Sequence, residues 1–126
     1  MRNAIRVGLI AGLAVTWSAA AAQEPDKEIV ACDIGPMLKV FGGNEWHVFS
    51  CSAPDQLVVA AAPGNPAMPF YFLLYVKDGK RKLYGEGTGS KEATAAAYDD
   101  LKIIAESEEQ IAALIAETLN AHDESE

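Results

Sequence analysis

The sequence has little with which to do chemistry. Its 126 residues include two histidines and two cysteines, with no C-x-x-C pair and no second Cys or His cluster to complete the four ligands of a zinc site. One histidine, His47, stands outside the C-terminal tail. A lone His supplies neither a nucleophile with its base nor a metal centre, so the chain reads as a non-enzyme with no metal and no cofactor. Positive charge is also scarce: Lys and Arg total 10 against 18 Asp and Glu, a net charge of −8. That balance excludes binding to a nucleic-acid backbone, which depends on Lys and Arg displacing counterions, and it favours a basic partner. Long apolar runs are missing except at the very start, and no internal repeat is present.

That first run has the form of an export signal. Arg2 and Arg6 precede an apolar stretch over 7–17, small residues follow over 18–22, and Ala20-Ala21-Ala22 before Gln23 fits a cleavage site. The apolar stretch is shorter than the ~20 residues of a membrane-spanning helix. Residues 1–22 are therefore expected to be a cleavable signal peptide, giving a periplasmic or secreted protein with no stable membrane insertion after cleavage. Losing Arg2 and Arg6 leaves eight basic residues against 18 acidic ones, a charge of −10. Cys32 and Cys51, an even count in a small exported domain, read as one disulfide.

Residues 23–120 form a single small domain in this reading, and 121–126 a disordered acidic tail. Gly42-Gly43-Asn44 breaks the chain ahead of four stretches with strand chemistry, at 46–52, 57–62, 70–77 and 81–86. Asp78-Gly79 is a hairpin signal, because both positions tolerate positive φ. The three prolines in 63–69 make that connection a stiff surface loop. Ala93, Ala97, Leu101 and Ile104 fall at helical spacing and predict a helix over 91–105 capped by Ser90 or Gly89. Ser107-Glu108-Glu109-Gln110 has the form of a capping box and opens a second helix with Ile111, Leu114, Ile115 and Leu119 as its apolar stripe, although one kinked helix is compatible with the same residues. The expected fold is α+β: a four-stranded antiparallel meander with a C-terminal helix or helix pair on one face and one disulfide.

Strand alternation then nominates a binding surface. Phe70, Phe72, Leu74 and Val76 point toward the helices, so Tyr71, Leu73 and Tyr75 occupy the opposite face, where a one-sided sheet is normally polar. Tyr84 joins them from the next strand. Tyr71, Tyr75 and Tyr84, rimmed by Lys82 and accompanied by His47 as a partly exposed strand residue, are the candidate binding residues. The competing arrangement has the segment 29–41, tied down by the disulfide, covering this face. A glycine run at Gly85-x-Gly87-x-Gly89-Ser90-Lys91 lacks the spacing of a phosphate loop and serves instead to turn the chain from an edge strand onto the back of the sheet.

Two stretches resemble known families. From Phe72 through Gly85-Glu86-Gly87-Thr88-Gly89-Ser90-Lys91 to Leu101 the sequence resembles the closing elements of a double-stranded RNA-binding domain, which implies a hairpin, a glycine turn and a packing helix. Where that family has further lysines meeting phosphates, this chain has Glu92 and Thr94, leaving Lys91 alone; with its acidity, no nucleic-acid partner is expected. Phe49-Ser50-Cys51 followed by Leu57-Val58-Val59 resembles the opening strands of small periplasmic lysozyme inhibitors, which implies antiparallel strands and a basic target. The expected function is an accessory, inhibitory or binding role, with another envelope or extracellular protein as partner. The alternatives are a small hydrolase using carboxylates such as Glu45 or Asp55, and a self-associating structural component of the envelope.

Overall fold

Alternation along each strand sorts the side chains into an inner and an outer layer, and short turns keep successive strands adjacent. The computed structural model describes residues 31–125, so the expected signal peptide lies outside the described residues. Five strands, β1 (Ile34–Phe41), β2 (Asn44–Ser50), β3 (Leu57–Ala61), β4 (Phe70–Lys77) and β5 (Lys80–Gly87), precede two helices, α1 (Lys91–Ala105) and α2 (Glu108–Ser125). The strands form one antiparallel sheet in the order β1-β2-β3-β4-β5, and both helices pack on it. The fold is α+β, as expected, with five strands rather than four.

The additional strand is β1, and the turn that creates it is Gly42-Gly43. Both residues have positive φ, 62° and 82°, so this is a tight hairpin whose twist matches that of the flanking strands. What reads as a chain break is therefore a β-turn. Segment 34–41 lies in the plane of the sheet beside β2 and does not cover the outer face, which corrects the competing arrangement. It adds Leu38 and Val40 to that face, 51% and 62% exposed.

The inner layer is the core. Trp46, Val48, Leu57, Val59, Phe72 and Leu74 are almost fully buried beneath Ala93, Ala97 and Leu101 of α1 and Ile111 and Leu114 of α2. The Trp46 ring stacks at a tilt on Phe72 with centroids 5.4 Å apart, and its Nε1–H donates to Phe41 O at 3.0 Å, so the indole is buried with its polar atom satisfied. Val76, expected beneath the helices, lies at the end of β4 beyond their reach and is 45% exposed. A buried hydroxyl pair, Ser50 and Thr118 at 2.7 Å, joins β2 to α2.

The helix caps are those the sequence encodes. Ser90 Oγ accepts from Ala93 N–H at 3.2 Å and Ser107 Oγ from Gln110 N–H at 3.2 Å, so the chain forms two helices. Between them Glu106 N–H turns back to Ile103 O at 3.2 Å, which ends the first. The second continues to Ser125, into the stretch expected to be disordered; Ala121 and His122 are half-buried, which gives that last turn something to hold.

Side chains pin the layers together at their margins. Cys32 is bonded to Cys51, joining the residues before β1 to the end of β2 and closing a loop whose cross-link is worth about 3 kcal/mol on the chain-entropy model. Ala31 and Ser52 reinforce this join: Ser52 N–H donates to Ala31 O at 2.7 Å. Lys39 of β1 reaches Glu117 of α2 at 3.2 Å, and Arg81 of β5 reaches Glu108 of α2 at 2.8 Å while a second guanidinium nitrogen donates to Asp55 O. The Arg81 side chain is 9% exposed, so it ties β5, the β2–β3 turn and the start of α2 in a nearly buried position.

Gly42 also lies directly against α1. A Cβ there would stand 2.5 Å from Ala97 N and 2.6 Å from Ala96 C, and its N–H donates to Asp100 Oδ2 at 2.6 Å. Gly43 shares the positive φ but has open space around it. Gly43→Ala is expected to cost about 1–2 kcal/mol from backbone conformation alone, and Gly42→Ala at least about 2 kcal/mol more, because α1 must also move. Urea denaturation of the two variants checks this; equal costs would mean that α1 does not sit against the turn.

Candidate binding site

The outer layer of the sheet follows from register. Reading across the strands, one row runs Leu38, His47, Ala60, Tyr71 and Glu86, and the next runs Phe49, Val58, Leu73 and Tyr84. Tyr75 faces Lys82 on the neighbouring strand, and Lys77 faces Lys80 at the hairpin. All five residues expected at the site, His47, Tyr71, Tyr75, Lys82 and Tyr84, therefore stand on one face. Tyr71 and Tyr84 are 38% and 47% exposed, His47 and Tyr75 are half-buried, and Lys82 is exposed. Among the described residues no element packs over this layer.

Glu86 organises the tyrosines. The Tyr71 and Tyr84 hydroxyls both donate to its Oε1, at 3.2 and 3.1 Å. Tyr71 lies opposite Glu86 across the β4–β5 ladder, and Tyr84 lies two positions before it on the same face of β5; both rings are thereby fixed on the sheet. The shared hydrogen bond is the main cause that raises both phenol pKa values above 10.0, and repulsion between a phenolate and the carboxylate adds to it. Strand parity places Glu86 and Phe49 on this face as directly as it places Tyr84; Leu38 is less legible because the pattern of β1 is irregular between Ile34 and Met37.

Charge along the face is uneven. Lys77, Lys80 and Lys82 gather at the β4–β5 hairpin, whereas Glu86 and Glu45 stand at the other end, next to the loop 63–69. That loop is held from both sides: Asn65 Nδ2 donates to Glu45 O at 2.8 Å, Thr88 N–H to Pro69 O at 3.0 Å and Ser90 N–H to Pro66 O at 3.0 Å. Between the loop and the sheet end lies an open groove of about 590 Å³.

His47 has Leu38 and Ala60 as its cross-strand neighbours, and neither offers it a charge partner. Among the described residues no three His, Cys, Asp or Glu side chains come together as metal ligands. Also among the described residues, no helix is long and apolar enough to cross a membrane. Compared with protein-family models, curated proteins and solved structures, the chain gives no match.

The tyrosine pair makes a direct prediction. Protonated hydroxyls donate to Glu86, so these hydrogen bonds are intact below the ordinary phenol pKa and are lost only as pH rises through the raised values. In a spectroscopic pH titration, two of the four tyrosines should ionise above 10.0, and Glu86→Gln should bring both back toward it. Unchanged titration in that variant would show that the carboxylate does not hold them.

Proposed function

We propose that the protein is an exported, non-catalytic binding protein that docks a protein partner on the outer face of its sheet, in an accessory or inhibitory role. One observation carries the reading: in a small domain whose helices cover the other sheet face around Trp46, Phe72 and Leu74, the outer face presents Tyr71, Tyr75 and Tyr84 with Leu38, Phe49 and Leu73 and no described element over them. Isolated exposed apolar residues are ordinary, but a contiguous layer of tyrosine and aliphatic side chains bordered by charge has the composition of a protein interface. Tyrosine suits this use because it offers large apolar area and a polar tip at little conformational cost.

Export is supported by the leader pattern over 1–22 and by the disulfide, which persists in oxidising compartments. A periplasmic or secreted protein of charge −10 is most strongly attracted to a basic partner. The half-buried setting of His47, between the uncharged cross-strand neighbours Leu38 and Ala60, suits contact rather than acid–base catalysis.

The test is affinity capture from an envelope extract of the source organism, using the protein purified as exported with its disulfide formed. A dominant partner should be retained, and Tyr75→Ala and Tyr84→Ala should each reduce its recovery about tenfold, as for residues near the centre of an interface, while circular dichroism stays unchanged. Unfolding of both variants would make these tyrosines part of the core, and capture indifferent to both would place the interface elsewhere.

A further inference from the structure

The groove at the end of the outer face has chemistry of its own. Its walls are Met68 and Pro69 of the loop, Phe70 and Tyr71 of β4, and Glu86 and Thr88 from β5 and the turn beyond it, over a floor that includes Ala60 and Ala61. The small floor residues leave the hollow, and the Thr88 N–H to Pro69 O hydrogen bond holds its two sides together. Met68 is 49% exposed, so the apolar lining is open to a partner. The carboxylate at the edge is only half used. Oε1 of Glu86 accepts two tyrosine hydroxyls, which fill its acceptor capacity, and Oε2 takes no hydrogen bond from the described residues.

We infer that this groove receives a lysine side chain of a basic partner protein, with the ammonium on Glu86 Oε2 and the four-carbon stem along Met68 and Pro69. The inference rests on the outer face being the docking surface and names what that surface selects. Charge and shape carry it together. The groove is mostly apolar and carries one negative group, and a lysine side chain is an apolar stem with a cationic head. The Tyr71 ring at the groove's margin favours a cation over a neutral or anionic group. Arginine fits less well, because its preferred fork needs both carboxylate oxygens in parallel and Oε1 is already occupied, whereas an ammonium needs one acceptor. An acidic residue would be repelled from Glu86 and drawn to the Lys77, Lys80 and Lys82 end of the same face.

The experiment is a titration of the isotopically labelled, exported protein with short blocked peptides of the form Gly-X-Gly, followed by amide chemical shifts. With lysine at X, the shifts should concentrate at Tyr71, Glu86, Gly87 and Thr88. Norleucine at X, which keeps the stem and drops the charge, should bind more weakly by up to about fivefold, the worth of an exposed ion pair, and arginine should bind more weakly than lysine. Glu86→Gln, which preserves shape and an acceptor for the tyrosines, should remove the preference for lysine over norleucine. Equal binding of norleucine, glutamate binding at the same residues, or no shift at this end of the sheet would each overturn the inference. The two levels separate cleanly. If a natural partner is lost with Tyr75→Ala and Tyr84→Ala yet retained at full strength by Glu86→Gln, the docking face stands and the lysine site does not.

Discussion

The sheet has two apolar faces, and the helices described here close over one of them. Trp46, Val48, Leu57, Val59, Phe72 and Leu74 take the helix side together with the small residues Ala93 and Ala97 that let α1 lie close to the strands. Everything else about the molecule follows from that one layer of cover. Gly42 must be bare of a side chain because α1 lies against it, and Gly89 must be bare because a Cβ there would collide with Ala67 O. Charged side chains that fall on the inner face by parity, Lys39 and Arg81, sit at its margins and find Glu117 and Glu108 on α2. Burying such cations without partners would cost far more than the packing around them supplies.

Covering only one face leaves a second layer whose composition differs from the rest of the surface. The helical side bears much of the chain's negative charge, including Glu92, Asp99, Asp100, Glu106 and Glu109, all exposed. The outer sheet face is aromatic and aliphatic at its centre, with lysines at one end and a carboxylate at the other. The molecule is thus strongly acidic as a whole, which governs long-range attraction, while the contact surface is short-range and mixed. A partner drawn by the former would be selected by the latter.

Much of this arrangement is legible in the sequence, and the gaps have physical causes. The parity of β4 and β5 assigns Tyr71, Tyr75, Lys82 and Tyr84 to one face without reference to any structure, and helical spacing with Ser90 and Ser107 locates both helices. Strand β1 escapes because its pattern is broken three times. A bulge lies between Ile34 and Met37, Pro36 offers no donor, and Lys39 stands on the inner face where alternation calls for an apolar residue. The groove escapes for a different reason. It is assembled from a loop whose path is set by long-range hydrogen bonds to Glu45, Thr88 and Ser90, and no local spacing encodes those.

The central claim is that one face of the sheet is core and the other is open for contact. Hydroxyl-radical footprinting of the exported, oxidised protein tests it most directly, because side-chain labelling reports exposure residue by residue. Leu38, Met68, Tyr71 and Tyr84 should label rapidly, and Trp46, Phe72 and Leu74 slowly. Protection of Tyr71 and Tyr84 in the free monomer, comparable to that of Phe72, would contradict the account, since the proposed docking face would then be part of the interior.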